Sequence, residues 1–86
     1  MKNKAVLVVS FGTSYPDVLN NSIKVVENKI HEVLPDFELR RAFTSDFIIR
    51  KLAKRDGMVV DNPEGALNNL EKEGFTDVVV QPLHII

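Results

Sequence analysis

The junction at which Ala5-Val6-Leu7-Val8-Val9 runs into Ser10-Phe11-Gly12-Thr13-Ser14 limits what this chain can fold into more than any other stretch. A short apolar run rich in valine is a strand buried on both faces, as in a parallel sheet. The turn after it holds a glycine, which permits backbone angles closed to other residues. It also holds hydroxyls at Ser10, Thr13 and Ser14, beside backbone N–H groups freed from the strand. An amphipathic helix follows. Strand, hydroxyl-rich turn and helix N-terminus together present donors and a partial positive charge to an anion. In open α/β sheets, ligands bind at the carboxyl ends of the strands.

Ser14 followed three residues later by Asp17 fits a capping box, with Pro16 in the first turn. Tyr15, which precedes the proline, is pushed away from helical angles. Leu19, Ile23, Val26, Ile30 and Val33 then recur at steps of four and three, the stripe of a helix packed on a sheet. Asn20, Lys24, Glu27, Lys29 and His31 fall mostly on the other faces, and Leu34-Pro35-Asp36 ends the helix. Residues 37–43 alternate, with Phe37, Leu39, Arg41 and Phe43 in one phase, and read as a strand. A βαβ unit closes here, so the two strands are expected to be parallel with a right-handed crossover.

Thr44-Ser45 repeats the hydroxyl pair before a second helix, Asp46 to Arg55, whose basic last turn suits the helix dipole. Asp56-Gly57 is a turn, and Met58-Val59-Val60 is too short to assign. Asp61-Asn62-Pro63-Glu64 starts a third helix with an Asx cap, a proline and an early carboxylate. Ala66, Leu67 and Leu70 form its buried face, and Gly74 ends it. Val78 to Val80 is the third strand. The order β-α-β-α-α-β predicts an α/β fold: a three-stranded parallel sheet flanked by helices, one half of a doubly wound sheet.

At 86 residues the chain makes one small domain, 1–86. Its 44% hydrophobic and 27% charged residues are those of an ordinary globular protein. A formal net charge of −1 gives no reason to expect nucleic acid or an anionic membrane as partner. The absence of cysteine removes disulfides and thiolate metal sites. The apolar run near the N-terminus is too short for a signal sequence or a membrane span, which predicts a cytoplasmic protein. At the other end, Val78 to Ile86 is apolar with no polar tail. Termini are normally exposed and polar, so the chain reads as a truncated piece of a longer protein, the alternative being a last strand tucked into the sheet.

Three strand ends collect polar groups: Ser10 to Tyr15, Thr44-Ser45, and Gln81 with His84. A parallel sheet brings all three to one edge. For the hydroxyl turn, helix capping and ligand binding stand about even; for Thr44-Ser45, capping is the better reading. His84 is either a buried structural histidine or a group that accepts protons or binds metal near neutral pH. His31 sits among polar residues and is solvated. The two histidines make no metal motif of known spacing, and neither a P-loop nor G-x-G-x-x-G is present. Arg40, Arg41, Arg50, Lys51, Lys54 and Arg55 form a basic cluster, most simply a solvated face, though one that offers bidentate partners to a polycarboxylate.

Several blocks together resemble one family. Leu7 to Tyr15, Arg41-Ala42-Phe43-Thr44-Ser45, Ile48-Ile49-Arg50-Lys51-Leu52, Arg55-Asp56-Gly57 and Leu83-His84-Ile85-Ile86 are similar, in order and spacing, to the N-terminal part of the anaerobic cobalt chelatases. These are the sirohydrochlorin cobaltochelatases of cobalamin biosynthesis, relatives of ferrochelatase. The resemblance implies a chelatase-like half-domain and a lyase that inserts Co2+ into a tetrapyrrole without nucleotide hydrolysis. The metal is a substrate, and no organic cofactor is implied.

The substrate bears eight carboxylates, for which Ser10, Gly12, Thr13, Ser14, Tyr15, Thr44 and Ser45 are the implied binding residues. The ring nitrogens lose two protons as the metal enters, and His84 is the implied catalytic residue. Family members are about three times longer. Their main metal-binding histidines lie outside the part matched here, as does an acidic residue just beyond the Leu-His-Ile-Ile block. The resemblance therefore assigns no metal ligand to this chain and implies a missing C-terminal half, or a homo-oligomer, as the other wall of the cleft. A fragment inactive alone is the corollary. The competing expectation is a flavodoxin-like, FMN-binding electron carrier, because Ser10-Phe11-Gly12-Thr13-Ser14 is also similar to a hydroxyl-rich phosphate loop.

Overall fold

The computed structural model describes residues 3–83. The central strand, β1 (Lys4–Ser10), pairs in parallel with β2 (Glu38–Phe43) on one side and β3 (Asp77–Pro82) on the other, giving the order β2-β1-β3. Ala5, Val6, Leu7 and Val8 are each no more than 2% exposed, because helices cover both faces of this strand. The α/β architecture with a three-stranded parallel sheet is thus the one the element order predicts.

The first helical stretch is α1 (Pro16–Val18), a π-helical segment over Leu19–Ile23, and α2 (Lys24–Val33). Then come α3 (Asp46–Asp56) and α4 (Pro63–Lys72). Side chains alternate across a strand, so the two faces acquire separate cores. On one, Phe43 packs with Leu19, Ile23, Leu52 and Val60. On the other, Ala42 and Leu7 meet Ala66 of α4. The chain winds from β1 to β2 through α2 on the first face and reaches β3 through α4 on the second. The winding direction reverses between β1 and β3, which makes their carboxyl ends a topological switch point.

Several local expectations hold. Asn62 caps α4, its Oδ1 accepting from the Gly65 N–H at 2.7 Å, with Pro63 as the first helical residue. Ser45 caps α3, its Oγ accepting from the Ile48 N–H at 3.3 Å. Residues 58–60, unassigned in the sequence, lead with Asp61 along the outer edge of β2. There Asp61 bridges to Ala42 and its carbonyl accepts from the Phe43 N–H at 3.0 Å.

Four readings are corrected. The Ser14–Asp17 capping box does not form: the helix starts from Tyr15, held extended by the following proline, and no side chain caps it. Leu67 (40% exposed) and Val33 (63%) lie at the margin of their stripes and face solvent. Glu27, expected on a polar face, is buried. Its two carboxylate oxygens accept from Arg41 Nε at 2.7 Å and Nη2 at 2.6 Å, a bidentate pair between α2 and β2. The π-helical turn carries one more residue per turn than an α-helix and so rotates the residues after it relative to a regular stripe.

The last correction concerns the basic cluster. Arg41 is committed to Glu27, and Arg40 to Glu38 and Glu73, so these two belong to the scaffold. Hydrogen bonding from Arg40 holds the Glu73 carboxyl below its ordinary pKa. That small contribution to stability is therefore present at neutral pH and lost as pH falls through the lowered value.

Among the described residues no helix is long and apolar enough to cross a membrane. On β3, an edge strand among the described residues, Val79 and Val80 are about half exposed.

Removing the carboxylate from a buried pair leaves a guanidinium without its partner. Glu27→Ala is expected to lower unfolding free energy by about 1–3 kcal/mol, whereas Lys29→Ala, on the exposed side of the same helix, stays within about 0.5 kcal/mol of wild type. Urea denaturation followed by circular dichroism makes the comparison; equal midpoints would contradict the structural weight given to the Glu27–Arg41 pair.

Candidate functional site at the strand carboxyl ends

The loop after β1 is shaped by where its carbonyls go. Ser10 O accepts from the Thr44 N–H at 2.9 Å and Phe11 O from the Ser45 N–H at 3.1 Å, which joins the ends of β1 and β2. Ser14 O accepts from Arg55 Nη2 at 2.7 Å, and Tyr15 O from the Leu19 N–H at 3.0 Å. The Tyr15 N–H donates to Thr13 Oγ1 at 3.1 Å. The N–H groups of Gly12, Thr13 and Ser14 meet no acceptor among the described residues. Four carbonyls of the loop, those of Ser10, Phe11, Ser14 and Tyr15, are thus tied to the protein while three of its amides are not, which leaves donors for an anion.

Gly12 makes this geometry accessible. Its φ is +107°, and a Cβ there would lie 2.7 Å from the ring of Phe43, a fully buried side chain. Both the backbone angle and the close approach therefore exclude a side chain. The result puts Ser10, Thr13 and Ser14 at 8% exposure or less, while the flanking rings of Phe11 and Tyr15 stand 63% and 70% exposed. These large rings flank the amides that have no acceptor among the described residues. The cavity under the loop, bounded by Thr13, Leu19, Leu52 and Met58, measures only about 50 Å3. That is room for a water or two, so a large ligand must lie across the loop's outer surface.

The predicted site residues divide. Ser10, Gly12, Thr13, Ser14 and Tyr15 form one loop, and the Thr44 and Ser45 amides bring those residues beside it. The Ser45 oxygen already serves as the cap of α3, and Thr44 is exposed. The chain after β3 arrives at the same edge, with the Leu83 N–H donating to Val9 O at 2.7 Å. His84 lies outside the described residues. His31 is exposed on α2. Among the described residues no group of three or more His, Cys, Asp or Glu could hold a metal ion.

Two contributors were not legible. Arg55, at the far end of α3, reaches the loop across 41 residues of sequence, and Phe43 supports it from below. The signal for Arg55 was present as Arg-Asp-Gly at a helix end, but only folding shows where that end lies. Next to Phe47 on the outer face of α3, Arg50, Lys51 and Lys54 line an open hollow. None of these three makes an ion pair among the described residues.

A half-sheet with a loop of free donors at its switch point has the architecture in which α/β proteins bind ligands. The profile of the cobalt chelatase family matches residues 4–86, and the chain belongs to that family. It is similar to the sirohydrochlorin cobaltochelatase of Salmonella typhimurium, with 52% identity over 83 residues, covering 96% of this chain and 31% of the relative. It is also similar to the sirohydrochlorin cobaltochelatase CbiKC of Nitratidesulfovibrio vulgaris, with 31% identity over 86 residues, covering 100% of this chain and 30% of the relative. The chain spans about a third of the length of these curated relatives. The match includes the loop on which the flavodoxin-like alternative rested.

Gly12 can be tested against a glycine that shares its backbone region without its neighbour. Gly74 has φ +93° and open space where a Cβ would stand. Both Gly→Ala variants should lose about 1–2 kcal/mol to the backbone angle. Gly12→Ala should lose at least a further 1 kcal/mol, approximately, to the Phe43 contact. Equal losses in denaturant titrations would show that Phe43 moves aside freely.

Proposed function

We propose that this chain is the substrate-binding wall of a sirohydrochlorin cobaltochelatase, which inserts Co2+ into a tetrapyrrole in cobalamin biosynthesis. The observation that carries the reading is the anion-oriented loop of Ser10 to Tyr15 at the switch point, in a chain matched along residues 4–86 by the cobalt chelatase family. The protein acts in the cytoplasm. The other wall of the cleft comes from sequence outside this chain or from a second copy, and this piece by itself is inactive.

Each group has a role in that reaction. The amides of Gly12, Thr13 and Ser14, with the hydroxyls of Ser10, Thr13, Ser14 and Thr44, bind peripheral carboxylates. Ser45 adds its O–H as a donor while its oxygen caps α3. Tyr15 lies along the macrocycle edge. Sites of this kind act by positioning: holding the ring at fixed points leaves the four nitrogens in place for the incoming ion. Two pyrrole N–H bonds break as the metal forms bonds to all four nitrogens, and the two protons pass one to His84 and the other to water. An imidazole has a suitable pKa near neutrality for that role. Imidazole and carboxylate ligands outside this chain hold Co2+ before transfer.

The full-length gene product, supplied with sirohydrochlorin and Co2+, should convert the absorption spectrum of the free macrocycle into that of the cobalt complex without ATP. His84→Ala should lower the rate of insertion by about 10²-fold or more while leaving tetrapyrrole affinity nearly unchanged. Equal loss of binding and insertion would mark His84 as structural, and no spectral change with the wild type would refute the assignment.

A further inference from the structure

Three backbone amides tie the Ser10–Tyr15 loop to other elements: those of Thr44 and Ser45 act on its first two residues, and that of Leu19, in the π-helical segment, on the carbonyl of its last, Tyr15. Ser14, between them, is held by a side chain. Arg55 Nη2 donates to Ser14 O at 2.7 Å, and the same guanidinium is fixed by Asp56, whose carboxylate accepts from Nε at 3.0 Å and from Nη2 at 2.7 Å. The Asp56 carboxylate is held below its ordinary range by this pairing.

The position of Arg55 follows from how α3 ends. Gly57 turns left-handed at φ +65°, and the Gly57 and Met58 N–H groups donate to Ala53 O and Leu52 O, which closes the helix and fixes its last turn. Leu52 packs beneath the loop in the core with Leu19 and Phe43. The two ends of α3 therefore grip the loop at Phe11 and at Ser14, by the Ser45 N-cap and by Arg55 in the last turn. Between these two grips lie the amides of Gly12, Thr13 and Ser14.

We propose that Arg55, oriented by Asp56, is a positioning residue for the substrate-binding loop: it holds the Ser14 carbonyl so that the amides of Gly12 to Ser14 face the ligand. The role rests on the chelatase reading for its substrate, but not for its structural part. A guanidinium meets both requirements at once, since its planar fork binds the carboxylate in two places and still has a donor for the carbonyl. An ammonium reaches one partner firmly but cannot hold the same fixed orientation. Arg55 does not touch the reacting atoms.

The test uses the full-length protein with Arg55→Ala and Arg55→Lys, read in two ways. Hydrogen exchange should speed up about tenfold (about 1.4 kcal/mol) in Arg55→Ala at the amides hydrogen-bonded within or to the loop, those of Tyr15, Thr44 and Ser45, with the amides of β1 unchanged. The KM for sirohydrochlorin should rise about tenfold while the KM for Co2+ stays constant, and Arg55→Lys should fall between Ala and wild type on both readouts. Unchanged loop exchange in Arg55→Ala overturns the proposal outright. Faster exchange with an unaltered sirohydrochlorin KM overturns the positioning role and leaves a structural tie. Faster exchange throughout the domain, or an equal rise in both KM values, also overturns it, since the effect would then be global. If the wild type neither binds nor metallates sirohydrochlorin, the chelatase reading fails and takes the substrate role of Arg55 with it, while the exchange data still decide whether the tie exists.

Discussion

Much of this structure depends on the approach of the Gly12 backbone to the ring of Phe43. Phe43 closes β2 and fills the core under the π-helical turn and α3, so the end of β2 and the turn after β1 are packed as one object. A side chain at position 12 would either displace that ring or lift the loop away from it. With glycine there, the Ser10 and Phe11 carbonyls come within reach of the Thr44 and Ser45 amides, and the two strand ends are joined. The polarity of the loop follows, because carbonyls drawn into the protein leave the neighbouring amides pointing elsewhere.

The sheet places this loop where ligands are found. β1 is buried on both faces because α2 and α4 lie on opposite sides, and the same two crossings reverse the winding between β1 and β3. A site at such an edge needs no long loops: residues 10–15, 44–45 and the stretch after β3 arrive together because parallel strands end at the same level. The cavity beneath the loop has room only for water, so the loop's outer face is the surface open to a larger molecule. Phe11 and Tyr15, large and exposed, border it.

Charged residues show how much folding redistributes what a sequence offers. Six basic residues crowd positions 40–55, and as a string they look like one anion-binding face. Folding divides them. Arg41 turns inward to a buried glutamate, Arg40 bridges β2 to the end of α4, and Arg55 bends back to the loop. Arg50, Lys51 and Lys54 stay on the outside of α3. Strand alternation carried a hint for Arg41, which shares a phase with Leu39 and Phe43. It could not name the partner, because Glu27 is brought inward from a helix that changes its winding at Leu19–Ile23.

The sequence by itself determined the order of elements, the caps of α3 and α4, the double burial of β1 and the strand edge at which the hydroxyl-bearing turns gather. It also carried the family, since Ser10 to Tyr15, Thr44-Ser45 and Arg55-Asp56-Gly57 are recognisable as strings. All of these are local: apolar run length, periodicity, turn chemistry and short motifs are written within a few neighbouring residues. What only the tertiary structure decided is long-range. Glu27 is buried against Arg41, the Met58–Asp61 stretch borders β2, and Arg55 holds Ser14. Each depends on two segments meeting across 14 to 41 residues of chain or on a helix rotated by its own winding. Such meetings are fixed by the packing of the whole domain, and no stretch of sequence short enough to read on its own contains them.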